Sequence, residues 1–187
     1  MLTTEKKILQ AATKLFSERG YKGVSTRSIA DLAGVNEITL FRHFKSKSNL
    51  LQSVIRHFAY EGNILEKISN DITGCIKDDI VIFAEVYYMF LENNIKMYKI
   101  QIKEIDEDGK KFTNSIEYTR FMEEYFIKKI EEGKFKGDPY LISTSIVSMI
   151  MGIFTLKEYS PDIFEGTDHK LLITRFVEDI SKLYVIN

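Results

Sequence analysis

The sequence predicts an all-α protein, with a small three-helix head carrying a helix-turn-helix followed by a larger helical body, about nine helices in total. Three observations point there. Apolar residues recur at helical spacing along most of the chain, and strict apolar–polar alternation is scarce. Only Pro139 and Pro161 interrupt the pattern. With 44% apolar and 28% charged residues, the periodic segments can bury a core rather than stay disordered.

The first helix is expected from about Thr4 to Arg19, with Ile8, Ala11, Ala12, Leu15 and Phe16 on one face and Gly20 as its C-terminal cap. Ser25 or Thr26 caps a short second helix that buries Ile29, Ala30 and Ala33, and Gly34 breaks it. Asn36 caps a third helix reaching about Phe44. Ser46 caps a fourth, with Leu50, Leu51, Val54, Ile55 and Phe58 inside. Beyond it, longer helices are expected at about Asp79–Asn93, onward to about Ile105, at Phe112–Glu132, at Pro139–Tyr159 and at Asp168–Tyr184. "DEDGKK", "GKFKGDP" and "SPDIFEGTDH" read as loops between them.

Charge is uneven along the chain. Residues 1–60 hold ten Lys and Arg against four Asp and Glu, a net of +6, and the remaining 127 residues carry −7. Only the first third therefore suits a polyanion. The single cysteine, Cys75, permits no internal disulfide, which fits a reducing cytoplasm. The N-terminal "MLTTEKKILQAATKLF" is not expected to be a signal peptide, because no apolar run follows a basic start. Pro139 to Leu156 lacks charge but holds three serines and two threonines, so a buried or partner-facing helix is expected there rather than a membrane span.

Ile29-Ala30, Ala33-Gly34-Val35 and Leu40 form the burial pattern of a helix-turn-helix. Ala30 lets the two helices approach, and Gly34 takes a backbone that a Cβ would strain. Asn36, Glu37, Thr39, Phe41 and Arg42 are left facing out, as groups that suit base edges or phosphates in a major groove.

From Ile8 to Leu51, "ILQAATKLFSERGYKGVSTRSIADLAGVNEITLFRHFKSKSNLL" resembles the N-terminal signature of the TetR family of bacterial transcriptional regulators, over about a quarter of the chain and without a gap. The resemblance implies a DNA-binding domain at residues 1–45 and a ligand-binding and dimerisation domain at 46–187. It implies a homodimer paired through the last two helices, a palindromic double-stranded DNA operator, and a small, largely apolar effector that releases a repressor. Position by position, Thr26 falls at a helix start that meets phosphate. Arg27 contacts phosphate or a base. Asn36, Glu37 and Thr39 fall where bases are read, and Arg42 and His43 where the backbone is met. Lys45 and Lys47 flank the fourth helix, with Lys47 at the family's phosphate-binding lysine. Phe41 stands where tyrosine is common and keeps only apolar contact with sugar or thymine methyl. Ile38 stands where a small residue or proline is frequent; it meets a thymine methyl or lies half buried.

Some alternatives stay open on the residues alone. His43 is a phosphate contact or a packing residue, and Glu37 reads cytosine or supports the helix start. Tyr87, Phe90, Met97, Tyr98, Phe121, Tyr125 and Met149 are candidates for an effector pocket, against plain core packing for each. No G-x-S-x-G, H-E-x-x-H or E-x-x-H motif, glycine-rich phosphate loop or metal-spaced histidine pair occurs. No catalytic residue, metal or cofactor is therefore expected, nor a membrane partner. The alternative function keeps the DNA-binding head and uses the body to bind a protein partner, or no effector.

Overall fold

The computed structural model describes residues 2–60, 64–103 and 113–186. Among them run α1 (Thr4–Arg19), α2 (Thr26–Ala33), α3 (Glu37–Phe44), α4 (Lys47–Tyr60), α5 (Ile64–Asp71), α6 (Ile76–Asn93), α7 (Ile95–Lys103), α8 (Thr113–Glu131), α9 (Pro139–Tyr159), a 3-10 turn at Pro161–Phe164 and α10 (His169–Tyr184). The all-α class holds. The helix beyond the expected nine is α5, whose eight residues bury only Ile64 and Ile68, too short a run for periodicity to stand out. The expected loop at Asp106–Lys111 lies outside the described residues.

Packing divides the chain into two compact units, residues 1–62 with 94–111 and residues 63–93 with 112–187. The expected division at 45/46 falls inside the first unit, because Leu50 and Val54 of α4 are fully buried in the head's core. That core also holds Ile8, Ala12, Phe16, Ile29, Ala30 and Leu40. Its helices start on local caps. The side chains of Thr3, Ser25 and Asn36 accept from Lys6, Ser28 and Thr39 N–H, and Ser46 Oγ from Asn49 N–H at 3.0 Å. Gly34 ends α2 in the left-handed conformation, φ 68° and ψ 36°, which a Cβ would disfavour. A later segment completes this unit: α7 buries Ile100 in the same core, and Lys103 Nζ donates to the carbonyl oxygens of Ser17 (2.7 Å) and Glu18 (2.8 Å) at the end of α1. A cation there also suits the negative end of the helix dipole.

In the second unit α8 and α6 pack along α9, and α10 packs on α6 and α9. Its centre is aromatic. Tyr118, fully buried on α8, donates its hydroxyl to the carbonyl of Phe83 at 2.6 Å, and its ring stacks on Tyr87 at 5.0 Å. Asp79 is fully buried on α6, and its carboxylate accepts from Thr73 N–H (2.7 Å), Thr73 hydroxyl (2.8 Å), Gly74 N–H (3.0 Å) and Tyr125 hydroxyl (2.5 Å). This ties the turn before α6 to α8, and α6 starts at Ile76, ahead of the expected Asp79. Beyond α10 the chain pairs with the α8–α9 loop: Lys136 N–H donates to Tyr184 O and Ile186 N–H to Lys134 O, each at 2.9 Å. Gly137, at φ 109°, lies so close to Tyr184 that an added Cβ would sit 2.8 Å from its ring.

Candidate nucleic-acid interface

In α3, Leu40 and Phe44 are buried, one helical turn apart, and fix which face points into the head. At 100° per residue the opposite ridge carries Ile38 and Arg42, flanked by Thr39 and Phe41. Arg42, His43 and Phe41 are exposed and Thr39 is half-buried, so the face opposite the core is the one expected to meet DNA. Asn36 is exposed, yet its Oδ1 already accepts from Thr39 N–H at 2.7 Å. Its amide N–H groups, not its oxygen, are what the cap leaves for a base edge.

Thr26, expected at a phosphate contact, and Glu37, expected to read cytosine or support the helix start, are brought together. The Thr26 hydroxyl donates to Glu37 Oε1 at 2.5 Å, joining the starts of α2 and α3 across the turn. Glu37 thus serves as a brace between the helices, and the hydroxyl of Thr26 is turned from the solvent toward it. Arg27 beside it is exposed.

Lys45 ends α3 with φ 64° and ψ −38°, the only described non-glycine residue at positive φ. Ser46 N–H donates to Phe44 O at 2.7 Å around it, which makes a tight γ-turn. Such a turn is strained for a residue with a Cβ. It points the chain into α4, where the Lys47 ammonium stands 4.1 Å from the centroid of the half-buried Tyr21 ring. A cation over a ring face is held by the ring quadrupole. Sequence reasoning missed Tyr21, which lies 26 positions before the lysine it positions; its only signal was an aromatic residue directly after the Gly20 cap.

Residues 8–54 match the family model of bacterial regulatory proteins, tetR family. Over 163 residues the chain is 28% identical to the HTH-type transcriptional regulator YvkB of Bacillus subtilis, covering 82% of each chain. Residues 8–54 thus carry the tetR-family helix-turn-helix region, and the chain as a whole is similar to HTH-type transcriptional regulators. The head is also 43% identical over 51 residues to the HTH-type transcriptional repressor KstR2 of Mycolicibacterium smegmatis, a match spanning 27% of this chain and 25% of that one. The fold is similar to that in the crystal structure of AibR in complex with isovaleryl coenzyme A and operator DNA, with a TM-score of 0.71 at 19% identity over 94% of this chain and 96% of that one.

The seven pocket candidates are divided between the two units. Met97 and Tyr98 lie buried on α7, in the first unit. Tyr87, Phe90, Phe121, Tyr125 and Met149 lie in the second. Tyr87 is fully buried with its hydroxyl 2.7 Å from Ser115 Oγ. Tyr125 donates its hydroxyl hydrogen bond to Asp79, and burial first, then that bond, raise its pKa far above the ordinary phenol value. Phe90, Phe121 and Met149 are half-buried. The hollows formed by described residues of the second unit include one of about 240 Å3 lined by Glu85, Tyr88, Met89, Glu92, Lys170, Ile173 and Thr174, and one of about 420 Å3 between the start of α6 and the end of α10. None of the seven candidates lines either.

Proposed function

We propose that the chain is a TetR-family transcriptional regulator, a ligand-responsive repressor that binds a palindromic operator as a homodimer and is released by a small, largely apolar molecule. The observation that carries the DNA half is the outward face of α3, where Asn36, Phe41, Arg42 and His43 are exposed beside Arg27 and Lys45. Base reading falls to Asn36 and Thr39, and backbone contact to Arg27, Arg42, His43, Lys45 and Lys47. Thr26 contributes the helix start and, with Glu37, the brace. The dimer is supported by α9 and α10. Among the described helices only α9 is long and apolar enough to cross a membrane, and about a third of its apolar window is buried. Tyr140, Leu141, Leu156, Tyr159, Leu171 and Leu183 stay exposed on the two helices, an apolar area suited to a second copy of the chain.

The AibR complex with isovaleryl coenzyme A supports an acyl-type effector by analogy of fold. A second reading keeps the head and gives the body a protein partner or no effector. It is favoured by the filled aromatic centre of the second unit, where the hydroxyls of Tyr87, Tyr118 and Tyr125 are all engaged within the chain. On either reading the protein works by binding, without catalysis, in the cytoplasm where the DNA is. Selection of bound sequences from random duplex DNA by the purified protein tests the head. A two-fold symmetric site is the expected product, and enrichment of none would overturn the reading. Thermal shifts against a panel of acyl-coenzyme A thioesters, fatty acids and organic cations then separate the two versions of the body.

A further inference from the structure

Ile38 is 79% exposed, the most exposed of the large apolar side chains in the described chain. It sits in the first turn of α3, on the ridge opposite Leu40 and Phe44, where the recognition helix of a helix-turn-helix reaches base edges. The half-buried alternative is therefore excluded. Nor does helix formation favour it, since a β-branched side chain loses rotamer freedom in an eight-residue helix. Phe41, three residues on and 41% exposed, lies on the adjoining row, so the two form an apolar pair on a face otherwise made of Asn36, Thr39, Arg42 and His43. Among base edges in the major groove, the one apolar feature is the C5 methyl of thymine. The carboxylate next to the pair, Glu37, is committed to Thr26 and draws the local readout away from cytosine.

We propose that Ile38, with Phe41 beside it, is a specificity-determining contact that reads a thymine methyl in each half-site. This rests on the head acting as a sequence reader, and the test separates the two. Starting from the selected palindrome, each thymine is replaced in turn by deoxyuridine, which removes the methyl and leaves every hydrogen-bonding group. Affinities are measured by fluorescence anisotropy for the wild-type protein, Ile38→Ala and Ile38→Val. One thymine per half-site should weaken the wild-type protein by about fourfold when its methyl is removed, the worth of one buried methyl group. Ile38→Ala should bind the thymine and deoxyuridine duplexes equally, and Ile38→Val should fall between. A 5-methylcytosine at the same place should restore part of the wild-type affinity and none of that of Ile38→Ala. A palindrome whose deoxyuridine forms all bind the wild-type protein unchanged would sink the methyl contact and leave the reader intact. Equal loss by Ile38→Ala on both duplexes would do the same. Failure to select any symmetric site would remove both.

Discussion

In the first unit the caps that start α1, α2, α3 and α4 each join residues three apart. In the second, the tyrosine bonds that fix the core join residues 46, 35 and 28 apart. Local caps fix where each short helix starts, and in α3 the burial of Leu40 and Phe44 then fixes which face is left outward. Long-range bonds specify a centre only after several helices have met. The same contrast holds for charge, since the first 60 residues carry +6 and the remainder −7. The outward surface of α3 thus starts from local signals, and the body's interior is fixed by distant side chains.

Removing Asp79 would test the body's half of that comparison most severely. Asp79→Ala leaves four donors without their acceptor, and a loss of about 3 kcal/mol in urea unfolding is expected, with the DNA affinity of the folded fraction unchanged. A loss below about 1 kcal/mol would mean that water replaces the carboxylate and that the long-range bonds do not hold the core. Asn36 sharpens the head's half, because it both caps α3 and offers an amide. Asn36→Ser keeps the cap, so it should leave stability within about 0.5 kcal/mol and relax base preference at one position by ~1–3 kcal/mol. Asn36→Ala should add the loss of the cap, about 1 kcal/mol. Equal effects of both on specific and random DNA would assign Asn36 to capping alone.

Smaller effects are expected at the lysines. Lys47→Ala should weaken binding to all sequences alike and lower the slope of log affinity against log salt by about 1 per head. Tyr21→Leu should weaken specific and random binding together, by less than Lys47→Ala, if the ring only positions the ammonium. Lys45→Gly relieves the positive φ and should raise stability by up to about 1 kcal/mol while weakening DNA binding, so that stability and function move in opposite directions.

Much of the head was legible because its signals are short-range. The caps at Ser25, Asn36 and Ser46, the Gly34 turn and the buried Leu40 were all readable, and so were the outward Asn36, Phe41 and Arg42, though Glu37 and Thr39 of that set are half-buried. What escaped were pairings between residues that sequence spacing does not relate: Thr26 with Glu37, Tyr21 with Lys47, and Lys103 with the end of α1. The pocket candidates escaped for a different reason. An aromatic residue at helical spacing has the same signature whether it packs in a core or lines a cavity, and Tyr87 and Tyr125 proved to be bonded within the unit.

The sequence by itself determined the all-α class, the helix-turn-helix, the exposure of Asn36, Phe41 and Arg42 beside it, and the basic first third. Each of these depends on residues within one or two helical turns, or on charge alone. Only the tertiary structure decided that α7 completes the head's core, that Glu37 braces α2 rather than standing free, that Ile38 is bare, and that Asp79 is the hub of the second unit. Those outcomes depend on which distant side chains reach one another, and burial makes a hydrogen bond or an apolar contact matter only once that meeting has occurred.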